Sequence, residues 1–233
     1  MSCALILTAI CTAQNVKLDA FDAGHADIVL LQSKAVQKDI GLTKSQRDAM
    51  NVVATTHRKR MEAFGLKLQK QGKDPRTLAR NDPTVAGYVL NLRKGVLGAL
   101  TPKQLTRLRQ LTLQRIGTSA LVDAGVATRI GVNAPNLKKM RADFEAGRLR
   151  LERVEKTVTA PIMAKYKDVK PKSRAEAEQY QTEARQDLAA ASAKAKPELE
   201  AISQDVSKRI MSHLTSTQKK SFQDLLGKPF RPS

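Results

Sequence analysis

The chain has 233 residues and a formal net charge of +19, with aromatics at 3% and no Trp. Large rings usually fill thick globular cores, so this composition excludes one and favours thin layers of Leu, Val, Ile, Met and Ala between long helices. The charge points to polyanions, acidic proteins or anionic lipid as partners without choosing among them.

The first element is the apolar run from Ala4 to Cys11. It is far shorter than the roughly 20 residues of a membrane span, so no transmembrane span is expected. It fits a signal-peptide core, with Cys11-Thr12-Ala13 before a cut at Gln14. Residues 1–13 are therefore read as a signal peptide and the chain as periplasmic or secreted. No Lys or Arg precedes the run, and a buried N-terminal helix is the alternative. Export would remove Cys3 and Cys11, leaving a mature chain without thiol or disulfide chemistry.

Ile28-Val29-Leu30-Leu31 is the only strand candidate and is too short to decide. Gly41 suits the end of a short helix. Leu42-Thr43-Lys44-Ser45-Gln46 then reads as a capping box: Thr43 caps, and Gln46 reaches back to the cap's N–H. The helix behind it carries Met50, Ala54, His57, Met61, Phe64 and Leu68 on one narrow seam. Steps of four and three suit a helix packed on another helix. Asp74-Pro75 and Asn81-Asp82-Pro83 bound a loop. A return helix follows with Val85, Val89, Leu92 and Val96 on one face. Leu100-Thr101-Pro102-Lys103-Gln104 is a second box. Pro102 sits at the first helical position, and Leu100 staples to Leu105. Gly117-Thr118-Ser119 is a plausible joint.

Beyond it, Ile130, Gly131 and Met140 repeat Ile40, Gly41 and Met50 at one constant offset. Asn133 replaces the capping Thr, Asn136 replaces Gln, and Val132 staples to Leu137. The seam continues through Phe144, Gly147, Leu151, Val154 and Val158. Ser173 and Glu176 open the next helix as another box after Lys170-Pro171-Lys172. That helix carries Leu199, Ile202, Val206 and Ile210, and Pro197 is expected to kink or break it. Leu214-Thr215-Ser216-Thr217-Gln218 opens the last helix. The fold class is all-α: elongated antiparallel helical hairpins in two tandem repeats, residues 14–117 and 118–233.

Leu-Thr-x-x-Gln at Leu42, Leu100 and Leu214, in a basic helical chain with an export signal, resembles the LTXXQ-motif proteins of the Spy/CpxP kind. The resemblance implies periplasmic helical hairpins that pair into cradles. It further implies ATP-independent holding of unfolded proteins, or a part in envelope-stress signalling, with relatives that bind or sense metals. Two units in one polypeptide depart from that pattern, so pairing of the two units with each other stands beside a homodimer.

No catalytic constellation, phosphate loop or cofactor motif is present, so neither an enzyme nor a bound cofactor is expected. His25, His57 and His213 are isolated in sequence; His57 on the seam reads as a register-setting polar residue before it reads as a metal ligand. Met50, Met61, Met140, Met163 and Met211 read as packing. Arg58, Lys59, Arg60, Arg93, Lys94, Arg107, Arg109, Arg148, Arg150 and Arg153 are the candidate surface for unfolded or acidic clients or polyanions. Specific nucleic-acid binding is not expected, because aromatics for base stacking are scarce. The rival readings are a metal-binding or metal-sensing protein and a structural polyanion-binding envelope protein.

Overall fold

The computed structural model describes residues 19–74 and 82–231. The proposed signal peptide, both cysteines and most of the loop after Asp74 lie outside the described residues. Among the described residues all regular structure is helical, with no strand. The α-helices are α1 (Ala20–His25), α2 (Lys34–Asp39), α3 (Lys44–Lys70), α4 (Pro83–Gly98), α5 (Pro102–Ile116), α6 (Ala124–Arg129), α7 (Ala134–Tyr166), α8 (Arg174–Ser212) and α9 (Ser216–Leu226). Two 3-10 segments, Ile28–Gln32 and Gly117–Val122, join them. The undecided run at Ile28 is thus helical: the Asp27 carboxylate accepts from the Val29 N–H at 2.9 Å and starts the turn.

The residues divide into two compact units. The first holds the described residues up to Arg115 together with those from Leu225 on, and the second holds Ile116–Asp224. The C-terminal segment therefore differs from the sequence reading, which ran the second unit to the end. Side chains of α5 explain it. Gln114 Nε2 donates to the carbonyls of Leu226 and Lys228, and Gln114 Oε1 accepts from Phe230 N–H at 2.9 Å. Phe230 then packs on the first unit's core.

In the first unit α3 and α4 are antiparallel. Phe64 meets Tyr88 edge-on at 6.1 Å between ring centroids. Gly95 sits where an added Cβ would come within 2.7 Å of Val53, so the helices touch there. The packed face of α4 runs through Val85, Tyr88, Leu92 and Val96, because the Tyr88 ring takes the place opposite Phe64. Val89, placed on that face from the sequence, is 51% exposed. Helix α5 is the centre of the core, with Leu105, Leu108, Leu111 and Leu113 all buried. Arg109 and Thr112 of the same helix are buried as well, so its covered sides are partly polar.

In the second unit α7 and α8 form a long antiparallel hairpin. A Cβ at Gly147 would lie 2.1 Å from Val206, so only glycine allows this approach. Ile202 and Ile210 are buried and Val206 half-buried on the expected face of α8. Pro197 does not break α8, which is continuous through it. Proline removes one bond to the carbonyl four residues back; Ala193 and Pro197 are both exposed, so water can serve that carbonyl. Pro161 lies inside α7 in the same way.

Candidate functional site

The Leu-Thr-x-x-Gln elements are built first by local chemistry. The Thr43 hydroxyl accepts from the Gln46 N–H at 3.2 Å, and Gln46 Oε1 accepts from the Thr43 N–H at 3.1 Å. Thr101 and Gln104 exchange the same pair of bonds at 3.3 and 2.9 Å, as do Thr215 and Gln218 at 3.2 and 3.0 Å. Asn133 accepts from the Asn136 N–H at 2.9 Å. Ser173 caps α8, but Glu176 reaches one residue further back, to the Lys172 N–H. Leu42, Leu100 and Leu214 are buried behind their caps.

The glutamine amides also have a second, tertiary use. Helices α2 and α6 end in Schellman motifs at Gly41 (φ 68°) and Gly131 (φ 75°). Leu42 N–H bonds Gln37 O, and Val132 N–H bonds Ala127 O, each at 2.9 Å. Gln104 Nε2 donates to the Gly41 carbonyl at 2.9 Å, and Gln218 Nε2 donates to the Gly131 carbonyl at 2.6 Å. In return Gln46 Nε2 donates to Ala99 O, at the end of α4, at 2.8 Å. Asn136 Nδ2 donates to His213 O, at the end of α8, at 3.3 Å. In the first unit the two amides also bond each other, Gln46 Nε2 to Gln104 Oε1 at 2.7 Å and Gln104 Nε2 to Gln46 Oε1 at 3.1 Å. Each box thus caps its own helix and satisfies the carbonyl that ends its neighbour.

The ten candidate cations separate into two groups. Arg58, Lys59, Arg60, Lys94 and Arg153 are exposed. Arg148 and Arg150 are exposed but paired: Arg148 with Glu145 at 2.5 Å and Glu152 at 3.3 Å, Arg150 with Asp205 at 2.6 Å. The other three belong to the framework. Arg109 is buried and bonded to the buried Asp22 carboxylate at 2.9 Å, which also accepts from the Thr106 hydroxyl. Arg107 pairs with Asp39 at 2.6 Å. Arg93 donates to the carbonyls of Ala23 and Gly24 at 2.5 and 2.9 Å. These three do not form a client surface, because their donors are spent on holding α1, α2 and the C-terminal segment.

The exposed cations sit between exposed apolar side chains. On α3, Val52, Thr56, Lys59, Ala63 and Leu66 step by four and three along one face; Val52 is 66% and Leu66 60% exposed. On α7, Leu149, Arg153, Lys156, Ala160 and Met163 step alike, with Leu149 49% and Met163 70% exposed. Met163 is therefore not a packing residue, while Met50 and Met140 are buried. On each stripe the apolar ends are about 21 Å apart at 1.5 Å per residue.

Ionic ties fix the hairpin beneath the α7 stripe. Asp187 accepts from Lys165 at 2.7 Å and from the Tyr166 hydroxyl at 2.9 Å. Asp187, and then Tyr166, hold the Lys165 ammonium up at about 12. Arg150 and then Arg209 keep the Asp205 carboxyl below its ordinary range. His213 meets Asp143 at 2.7 Å. His57 is half-buried on α3 and lines a recess with Tyr88 and Leu92. No group of three or more His, Cys, Asp or Glu side chains among the described residues is placed to hold a metal, and no helix among them is long and apolar enough to cross a membrane.

Comparison with family models, curated proteins and solved structures returns no match. The site residues missed from sequence are Asp22 and Arg47. Asp22 is separated from Arg109 by most of the first unit, and no local pattern marks such a pair. Arg47 follows a capping glutamine like any surface helix residue.

Proposed function

We propose that the chain is an exported, ATP-independent, chaperone-like or envelope-stress-associated binding protein of the LTXXQ kind. The observation that supports the reading is the pair of outward stripes, where Lys59 lies between Val52 and Leu66, and Arg153 between Leu149 and Met163. Cations attract an acidic, partly unfolded chain at long range, and the apolar side chains hold it at contact.

The test is light scattering of a heat-unfolded client enzyme with the full chain and no nucleotide. Aggregation should slow at low salt and less so at high salt, since exposed charges are screened beyond about 8 Å at physiological ionic strength. Replacing Val52, Leu66, Leu149 and Met163 together by Ser should abolish holding. Neutralising Arg58, Lys59 and Arg60 should slow capture more than it speeds release. Unchanged protection by the four-Ser variant would refute the reading. A polyanion-binding envelope role draws on the same unbalanced +19 charge. It would survive the Ser substitutions and vanish with the cations.

A further inference from the structure

The first unit contains a hollow of about 330 Å³ between the 3-10 segment, the start of α3 and the packed face of α4. Its floor is apolar and buried: Leu31, Leu42, Met50 and Val96. Its mouth opens beside Val29, which is 55% exposed, and Ala54, which is exposed. Protein interiors pack as tightly as organic crystals, and sites for small ligands are hollows of about 300–1,000 Å³ with a few fixed polar groups. This hollow has the size and lining of a small ligand site.

Its distinctive polar group is Arg47. The residue is half-buried at the wall, and its guanidinium makes one hydrogen bond, Nη1 to the Leu42 carbonyl at 2.6 Å. No carboxylate among the described residues pairs with it. Arg107, Arg109 and Arg115 of this unit have acids, Asp39, Asp22 and Asp27, and Arg93, which does not line the hollow, has two carbonyls. A guanidinium has five donors and binds carboxylates through two parallel bonds. Four donors of Arg47 therefore remain at the edge of an apolar hollow. Gln37 stands beside it with its amide nitrogen already held by Leu31 O at 2.7 Å. In the second unit the residue that follows Asn136, the counterpart of Gln46, is Leu137, so the cation is peculiar to the first.

We propose that this hollow is a binding site for a small amphiphilic carboxylate. The hydrocarbon body lies on Leu31, Leu42, Met50 and Val96, and the carboxylate is clasped by Arg47. The volume equals about eleven water volumes at roughly 30 Å³ each. It therefore takes a body of about ten heavy atoms, as in a medium-chain fatty acid. Each methylene buried should raise affinity about fourfold until the hollow is full.

Isothermal titration of the full chain with hexanoate, octanoate, octanol and octylammonium, below their aggregation concentrations, tests this. One equivalent of octanoate should bind, at least tenfold tighter than octanol and about 15-fold tighter than hexanoate. Octylammonium should not bind. Arg47→Gln should remove the preference for octanoate over octanol. Ala54→Phe, which closes the mouth from an exposed position, should abolish uptake of both, with an unchanged circular dichroism spectrum. If Arg47→Gln does not fold, Ala54→Phe and the head-group series decide alone. Three outcomes would overturn the proposal. These are no saturable uptake at millimolar octanoate, equal binding of octanoate and octanol, or several equivalents of octanoate that salt suppresses and neither variant changes. The last would mark unspecific attraction to the basic chain.

Discussion

The reciprocal amides of Gln46 and Gln104 make a sharp energetic test. Gln104→Ala removes the acceptor for Thr101 N–H, the donor to Gly41 O and both bonds to Gln46. A hydrogen bond contributes about 0.5–1.5 kcal/mol net, and half-exposed ones lie at the low end. The loss should therefore be about 1.5–2.5 kcal/mol. Gln46→Ala removes an equivalent set and should cost the same. The amide–amide bonds are lost in either single variant, so the double variant should cost less than the sum by about 0.5–1.5 kcal/mol. The second unit is an internal control. Asn136 and Gln218 each bond a neighbouring carbonyl, but no bond joins them to each other. Their cycle should be additive within about 0.3–0.5 kcal/mol. Urea denaturation followed by far-UV circular dichroism measures both cycles. Equal coupling in the two cycles, or none in the first, would refute the assignment of a paired-motif contact.

Arg109→Met should destabilise by about 3–5 kcal/mol, because it strands the buried Asp22 carboxylate. Adding Asp22→Asn should recover more than half, and a loss below about 1 kcal/mol in the urea midpoint would count against a buried pair. Acidification should weaken the α7–α8 hairpin. Asp187, Asp205, Glu145 and Glu152 titrate below their ordinary range next to Lys165, Arg150, Arg148 and Lys156 respectively. Their contribution is complete above the unfolded carboxylate value of about 4 and is lost as pH falls through the lower folded values. Lys165 acts in the opposite direction: its contribution is complete below 10.5 and disappears as pH rises through about 12. Thermal melts across pH should show both limbs, and Lys165→Met should shrink the alkaline one, leaving the share of the Tyr166 phenol, which burial and then Asp187 hold up. A flat acid limb would show that these exposed pairs add nothing.

Much of the fold was legible because helix ends obey local chemistry. The starts at Thr43, Thr101, Asn133 and Thr215 follow from a hydroxyl or amide three residues before a matching N–H, and the stops at Gly41 and Gly131 from left-handed backbone. The α3 seam was legible at its ends, Met50 and Leu68, which are buried, but Ala54, expected on it, is exposed, and Val53 next to it faces Gly95. What could not be read is whatever depends on partners distant in sequence. Val89 and Tyr88 are adjacent, and only Phe64 across the hairpin decides between them. Arg107, Arg109 and Arg93 look like surface charge until their acceptors on α1 and α2 are known. Pro197 leaves α8 continuous, because the cost of a proline inside a helix depends on whether water can reach one carbonyl.

From Arg148 around the hairpin turn to Lys194 no residue is buried, whereas Met140, Gly147, Ile202 and Ile210 are buried toward the open ends of α7 and α8. The hairpin is thus a zipper locked at one end only. Its far end is fastened by the Lys165–Asp187–Tyr166 clasp and by half-buried side chains. Opening that clasp separates the tip without disturbing the locked end, so amide exchange should slow stepwise from Tyr166 back to Met140. Met163, two residues before Lys165 of the clasp and on the outward stripe, lies on the part expected to exchange first.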